Sequence, residues 1–104
     1  MESASPGSLW YIDLSTGASH TIVTGLYYSS GLLLDSAIAN AYISETPSGQ
    51  SYQVVSKVNL VTGVKASYTP TYNTISSLTW SDSSQSGIIV TSASAGAIYL
   101  LNIL

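Results

Sequence analysis

Aromatic side chains offer the clearest binding chemistry in this 104-residue chain. It contains eight Tyr and two Trp but no Phe, so each of these rings carries a polar atom on an apolar body. Such rings suit protein interfaces and stacking on the faces of sugars. We predict a ligand-binding set of four residues, Tyr27, Tyr28, Tyr72 and Trp80. Because neighbours along a strand point to opposite sides, one of Tyr27 and Tyr28 should face solvent.

Catalytic and metal-binding chemistry lacks the residues that it needs. His20 is the only histidine, and neither a Gly-x-Ser-x-Gly elbow nor a glycine-rich phosphate loop is present. We therefore expect no enzymatic activity and no cofactor. Asp35 and Asp82 each follow a predicted strand, and they are the candidates for oxygen ligands of a hard cation. The favoured interpretation is that both carboxylates cap turns, so no metal site is predicted.

The charge content narrows the classes of partner. Charged residues make up 7% of the chain, against about 25% in a typical globular protein. With two lysines and no arginine, no nucleic-acid surface is expected. The net charge of −3 repels neighbouring copies only weakly, which favours self-association.

The sequence also bears on location. No apolar run approaches the roughly 20 residues of a membrane-spanning helix, so no membrane span is expected. The first residues lack the basic and apolar regions of a signal peptide. Cysteine is absent, which excludes disulfides and thiolate metal sites. A surface rich in Ser, Thr and Tyr and poor in charge favours an extracellular or cell-surface location.

Short runs of β-branched and aromatic residues, separated by turn residues, predict an all-β fold. A flexible N-terminal arm is expected over 1–7, followed by a single domain over 8–104. Ser29-Ser30-Gly31 should bend or bulge the third strand. The nine predicted strands lie at 8–14, 18–24, 26–34, 38–45, 51–60, 64–69, 75–80, 87–93 and 97–103.

One segment of the sequence recurs. Ile12-Asp13-Leu14-Ser15-Thr16-Gly17 returns after 46 residues as Val58-Asn59-Leu60-Val61-Thr62-Gly63, and a shorter copy, Leu101-Asn102-Ile103, follows 43 residues later. A period of this length is typical of repeat architectures. In each copy apolar residues flank a short Asp or Asn side chain. We expect that side chain to accept hydrogen bonds from the backbone of the turn.

The recurring unit resembles the four-stranded blade of a β-propeller. Asp13-Leu14-Ser15-Thr16-Gly17 and the segment from Ser77 to Leu100 resemble blades of gluconolactonase-like and YVTN-type propellers. With strands labelled A to D, the resemblance implies about two blades plus one spare strand. These units are a C–D half blade at 8–25, a full blade at 26–70 and a blade lacking D at 71–104. An immunoglobulin-like β-sandwich is the alternative fold, but it predicts no such repeat.

The resemblance implies architecture without a catalytic site. Gluconolactonase-like enzymes hold a divalent cation with Glu, Asn and Asp side chains from several blades, and that set does not map onto Glu45, Asn40 or Asp82. The strand count leaves the first and last blades incomplete. One blade could be shared between the two ends of the chain, with strands 8–24 completing strands 75–93. Packing between blades is the favoured role of four aromatic residues, namely Trp10, Tyr52, Trp80 and Tyr99.

We expect a non-catalytic β-repeat module that acts through self-association or protein binding, as a structural or self-assembling surface protein. Two blades cannot close a ring, and unpaired strands invite pairing. The expected partner is therefore further copies in a homo-oligomer, or the missing blades of a longer chain. A carbohydrate-binding, lectin-like module is one alternative, and a fragment of a gluconolactonase-like propeller enzyme is another.

Overall fold

The computed structural model describes residues 7–29, 31–47, 49–68, 71–72, 74–92 and 96–103. Within these ranges the chain forms nine strands and no helix, which confirms the predicted all-β fold. None of the described residues belongs to a helix that is long and apolar enough to cross a membrane. The strands are β1 (Gly7–Ile12), β2 (Ser19–Leu26), β3 (Leu32–Leu34), β4 (Asn40–Glu45), β5 (Val54–Asn59), β6 (Lys65–Ser67), β7 (Ser77–Trp80), β8 (Gly87–Ser92) and β9 (Ala97–Asn102).

The strands form three antiparallel sheets, and each sheet is made of strands that are consecutive in the chain. The first sheet is the β1–β2 hairpin, the second contains β3 to β6, and the third contains β7 to β9. Short turns between the strands favour this pairing, because a tight turn can join only antiparallel neighbours. Each of the nine strands overlaps the range predicted for it from the sequence.

The predicted third strand is too long. The sequence predicts it over 26–34, but β3 covers only Leu32–Leu34, and Leu26 ends β2 instead. The chain leaves the extended conformation at Tyr28, whose φ is 55°. A residue in this left-handed region cannot continue a strand. Ser30, in the middle of the predicted bend, lies outside the described residues.

Gly7, the last residue of the predicted arm, differs from the prediction. The sequence predicts a flexible arm over 1–7, and residues 1–6 lie outside the described part of the chain. Gly7 begins β1, where it pairs with Leu26. The first strand therefore starts one residue earlier than predicted, because Leu26 at the end of β2 provides it with a partner.

The two full copies of the recurring segment form turns with the same hydrogen bonds. The Gly17 N–H donates to the Asp13 carbonyl at 2.7 Å, and the Gly63 N–H donates to the Asn59 carbonyl at 2.8 Å. The two glycines have φ of 77° and 75°, a region that glycine adopts without the steric penalty of a Cβ. The Oδ1 atoms of Asp13 and Asn59 each accept the backbone N–H two residues on, at 2.9 Å. The turn chemistry predicted for these side chains is present at both positions.

The second sheet lies between the other two and packs against both. Tyr42 and Val55 project from one side of it into a cluster with the third sheet, and Ile43 and Val58 project from the other side into a cluster with Leu26 of the hairpin. Adjacent residues of a strand face opposite sides, so β4 is buried along both faces. The other buried members of the larger cluster are Tyr72, Ile75, Leu78, Ile88, Val90 and Leu101.

The third sheet contains its own third strand. β9 pairs with β8 along six residue pairs, from Gly87 with Asn102 to Ser92 with Ala97. The closure in which 8–24 completes strands 75–93 is therefore wrong within a single chain, because β9 occupies that edge of β8. Among the described strands, β1 pairs only with β2.

Candidate interaction surfaces

The first candidate surface is the face of the β1–β2 hairpin that points away from the second sheet. Trp10 pairs with Thr21 and Ile12 pairs with Ser19, so these four side chains share one face. Thr21 is adjacent to Ile22, which packs toward the second sheet, so the shared face points the opposite way. Trp10 and Ile12 are 55% and 59% exposed. We call this surface the N-terminal face.

The second candidate surface is the face of the third sheet opposite its buried cluster. In β9, Leu101 belongs to the cluster, so the alternating residues Ile98 and Leu100 point away from it. Ile98 is 75% exposed and Leu100 is 69% exposed. Leu100 pairs with Ile89 of β8, which extends the apolar area onto a second strand. We call this surface the C-terminal face.

Both faces combine apolar side chains with hydroxyl groups and carry no charge. On the C-terminal face, Thr79 pairs with Ile89, and Thr91 pairs with Ile98. The N-terminal face has Ser19 and Thr21 in the same role. Contiguous apolar area on a protein surface commonly marks an interaction site, and an uncharged face brings no repulsion to a partner. This arrangement can pack against another sheet.

The structure does not bring the four predicted aromatic residues onto one exposed surface. Tyr72 is only 7% exposed, its ring lies 5.0 Å from that of Tyr99, and burial raises the pKa of its hydroxyl. Trp80 donates its indole N–H to the Leu34 carbonyl at 3.1 Å and meets the ring of Tyr42 edge-on. Both side chains therefore pack against the second and third sheets, and the ring of Tyr72 has little surface left for a ligand.

The adjacent tyrosines that follow β2 differ in exposure. Tyr28 is exposed and Tyr27 is half-buried. The backbone carbonyl of Tyr28 accepts a hydrogen bond from Gln53 Nε2 at 3.2 Å, which holds this loop against the second sheet. Tyr28 is thus the one member of the predicted set with a largely accessible ring, and the exposed ring of Trp10 lies on the separate N-terminal face.

Asp35 accepts hydrogen bonds within its own turn. Its carboxylate accepts the Ala39 N–H at 2.8 Å, the Asn40 N–H at 3.2 Å and the Asn40 side-chain N–H at 3.1 Å. Burial acts to raise the pKa of Asp35, but these hydrogen bonds and the charge of Lys57 outweigh it and lower the pKa below its ordinary value of 3.8. The carboxylate is therefore occupied by the turn that follows β3.

Asp82 has the same role in the turn that follows β7. Its Oδ1 accepts the N–H of Ser84 at 3.1 Å and the hydroxyl of Ser84 at 2.6 Å. The turns of Asp35 and Asp82 do meet, because the Ser36 N–H donates to Gln85 Oε1 at 2.8 Å. Across the described ranges, no group of three or more His, Asp or Glu side chains is placed to hold a metal ion.

A buried carboxylate that the sequence did not single out lies at the end of β4. Glu45 is 2% exposed, and its carboxylate pairs with Lys65 Nζ at 2.8 Å. The Ser56 hydroxyl donates to the same carboxylate at 2.7 Å and lies 2.8 Å from the Ser67 hydroxyl. Pairing of this kind is what a buried charge requires. Glu45 therefore joins β4, β5 and β6 on one side of the second sheet.

A second buried polar residue, Gln53, links three separate segments. Its Nε2 donates to the Tyr28 carbonyl and to the Thr46 hydroxyl, each at 3.2 Å, and its Oε1 accepts the Ile75 N–H. Its backbone also pairs with Tyr72 in an isolated bridge. Gln53 is 7% exposed. The contacts show a structural role in holding the loops before β3, β5 and β7.

Three grooves lined by described residues, and the single histidine, give no sign of a small-molecule site in this part of the chain. Three shallow grooves have volumes of about 230, 390 and 320 Å³, and they lie beside Leu9, Lys57 and Ile98. His20 stacks on its cross-strand partner Tyr11, with ring centroids 5.2 Å apart. Ligand pockets bury most of a small molecule, which shallow, open grooves do not.

Comparison with protein-family models, curated proteins and solved structures gives no match to this chain. Evidence on function therefore comes from the surfaces described above.

Proposed function

We propose that the protein is a non-catalytic β-repeat module that acts by association through its N-terminal and C-terminal faces. The observation that carries this proposal is the pair of uncharged, apolar sheet faces at the two ends of a three-sheet stack. Inside the stack, equivalent apolar faces are covered by a neighbouring sheet. We also propose a location outside the cell or at its surface, because the composition is rich in Ser, Thr and Tyr and poor in charged residues.

The proposal takes the three sheets to be successive propeller-like blades. It is supported by the pairing of each strand with its neighbours in the chain, and by sheets that stack in chain order. The contact of β3 with β7, the first strands of the second and third sheets, also fits blades packed side by side. An immunoglobulin-like sandwich would exchange strands between two sheets through Greek-key connections.

A lectin-like function is the second candidate, because the rings of Trp10 and Tyr28 are accessible. It would use a different set from the one predicted, since Tyr72 and Trp80 are packed. A glycan array with the wild type and Trp10→Ala tests this candidate. Binding that Trp10→Ala abolishes would support it, and a wild type that binds no glycan would refute it.

The proposed association is tested by size-exclusion chromatography with light scattering over a concentration series up to tens of micromolar. We expect the wild type to form oligomers and Ile98→Lys to reduce them, because a lysine on the C-terminal face must lose water to be covered. Ser83→Lys is the matched control, since it makes the same change of charge in an exposed turn away from both faces. A wild type that stays monomeric throughout the series would contradict the proposal.

A further inference from the structure

Two interfaces between sheets exist within the described part of the chain, and each is formed by two opposed sheet surfaces. The C-terminal face corresponds to one of these surfaces and the N-terminal face to the other. With offsets of 46 and 43 residues, Leu9 aligns with Val55 and then with Ile98, and Ile12 aligns with Val58 and then with Leu101. The first series follows the side of each sheet that looks toward the next sheet. The second series follows the side that looks toward the preceding sheet.

Burial along the first series depends on whether a following sheet is present. Leu9 packs against the second sheet, and Val55 is 0% exposed against the third. Ile98, the third member, is exposed on the C-terminal face, which no sheet of the described residues covers. The C-terminal face therefore has the side-chain pattern of a surface that is covered elsewhere in the same chain.

The second series shows the reverse. Leu101 is 5% exposed against the second sheet, and Val58 is 0% exposed against the first. Ile12 is exposed on the N-terminal face, over which the described part of the chain places no sheet. The two open surfaces are thus of opposite kinds, one of them corresponding to a following side and the other to a preceding side.

We propose that the C-terminal face of one copy of this chain packs on the N-terminal face of the next copy, head to tail. This inference rests on the proposed function and names the partner as a second copy of the same chain. Leu9 and Val58 share one buried cluster, and Val55 and Leu101 share the other. Both pairs predict the same intermolecular contact, Ile98 of one copy beside Ile12 of the next.

The chemistry of the two faces suits this contact. Neither face carries a charge, so the pairing leaves no charge buried and brings no like charges together. Each face is two or three strands wide, about 10–15 Å at the usual spacing of strands, so a single contact is small. A head-to-tail contact repeats in every copy, and it forms a ring if its rotation closes and a filament if it does not.

Cross-linking of cysteine variants tests the arrangement, since the natural chain has no cysteine to interfere. We would prepare Ile12→Cys, Ile98→Cys and, as a control in an exposed turn, Ser83→Cys. Each variant is treated with a short thiol-to-thiol cross-linker, alone and in equal mixtures. Light scattering on the same samples measures association, and thermal unfolding confirms that each variant folds as the wild type does.

We expect the mixture of Ile12→Cys with Ile98→Cys to give a several-fold higher yield of dimer than either variant alone or any mixture with Ser83→Cys. The double variant with both cysteines should give a ladder of higher species. Dominant products from one variant alone would show a symmetric contact and overturn the inference. Association without preferential cross-linking would overturn the inference and leave the proposed function standing.

A chain that stays monomeric by light scattering would overturn both.

Discussion

Gln53→Met is the sharpest test of how the three sheets are held together. Methionine matches glutamine in length and fills the same space, so the substitution removes hydrogen bonds without opening a cavity. Gln53 Oε1 accepts the N–H of Ile75, a residue that is 2% exposed, and Nε2 donates to Tyr28 and Thr46. The change therefore acts on three loops at once.

The expected loss of stability can be worked out from these contacts. Removing the acceptor of a buried N–H costs about 2 kcal/mol, and losing two hydrogen bonds whose partners can regain water costs about 1 kcal/mol in total. Burial of the methionine side chain offsets about 1 kcal/mol of this. We expect a net loss of about 2 kcal/mol in the free energy of unfolding, which in a domain of this size lowers Tm by about 10 °C.

The measurement is urea and thermal unfolding followed by tryptophan fluorescence and circular dichroism. It should be made at low protein concentration, because association would stabilise the folded state and hide part of the effect. Gln50→Met is the matched control, since Gln50 is exposed in the loop between β4 and β5 and should change stability by less than about 0.5 kcal/mol. If Gln53→Met and Gln50→Met unfold alike, the side chain does not hold the loops as the geometry indicates.

Three further predictions concern packing, a turn and pH. Val58→Ala should lower the free energy of unfolding by about 2–3 kcal/mol, because it leaves a cavity beside Leu26 and Ile43. Val61→Ala, at a position that is 89% exposed, should change the free energy of unfolding little. Denaturant titration compares the two variants, and equal effects would contradict the assigned packing. Gly63→Ala should be more destabilising than Gly17→Ala by at least about 1 kcal/mol. Both positions have positive φ, but of the two only Gly63 would bring a Cβ to 2.5 Å from a backbone oxygen, that of Ile22. Thermal unfolding of the two variants measures the difference, and a smaller effect at Gly63 would refute the prediction. The pKa of Asp35 is lowered on folding, so its contribution to stability is present above pH 3.8 and is lost as pH falls through the pKa of the folded state. Asp35→Asn should therefore be less stable than the wild type at pH 6, and the difference in stability should shrink below pH 3.8. A difference in stability that is constant with pH would count against the turn contacts.

The strands and their order were predictable because their signals are local. Alternation of apolar and polar residues marks a strand within a few positions, and the turns at Asp13 and Asn59 combine a capping side chain with a glycine at positive φ. Each of these features is contained in a stretch of about five residues. The all-β class and the sequence of nine strands follow from such features without any knowledge of the tertiary structure.

The short β3 was not predictable in the same way. The chain leaves the strand conformation at Tyr28, where φ is positive for a large aromatic residue, and nothing in its side chain favours that region. Its carbonyl instead bonds to Gln53, which lies 25 residues further along the chain. The turn is therefore fixed by a distant partner.

Buried polar residues escaped the sequence for the same reason. Glu45 is paired with Lys65, 20 residues away, and Gln53 accepts the N–H of Ile75, 22 residues away. An acid at the end of the apolar run of β4 is the only local sign of the ion pair. Strand pairing brings together side chains that are distant in the sequence, and the spacing of neighbouring residues does not encode such pairs. They can be identified only when the register of the strands is known.

The candidate surfaces show a further limit of sequence patterns. Ile12, Val58 and Leu101 occupy corresponding positions and are all apolar, yet the first is 59% exposed while the other two are buried. The difference arises because a sheet covers Val58 and Leu101 and none of the described residues covers Ile12. Residue type alone cannot distinguish these cases, since exposure here depends on a neighbouring sheet.

At the hairpin, the geometry also favours association through the N-terminal face over association through the edge of β1. The unpaired terminal strands predicted association by edge pairing, but β1 has two breaks in its register with β2, between Gly7 and Leu9 and between Leu9 and Trp10. Irregularities of this kind increase the local twist and make an edge a poor template for another strand. The outward side chains of Trp10 and Ile12 lie beyond these breaks, where regular pairing with β2 keeps them on one face. A partner therefore meets an ordered apolar surface on the face of the hairpin and an irregular backbone at its edge.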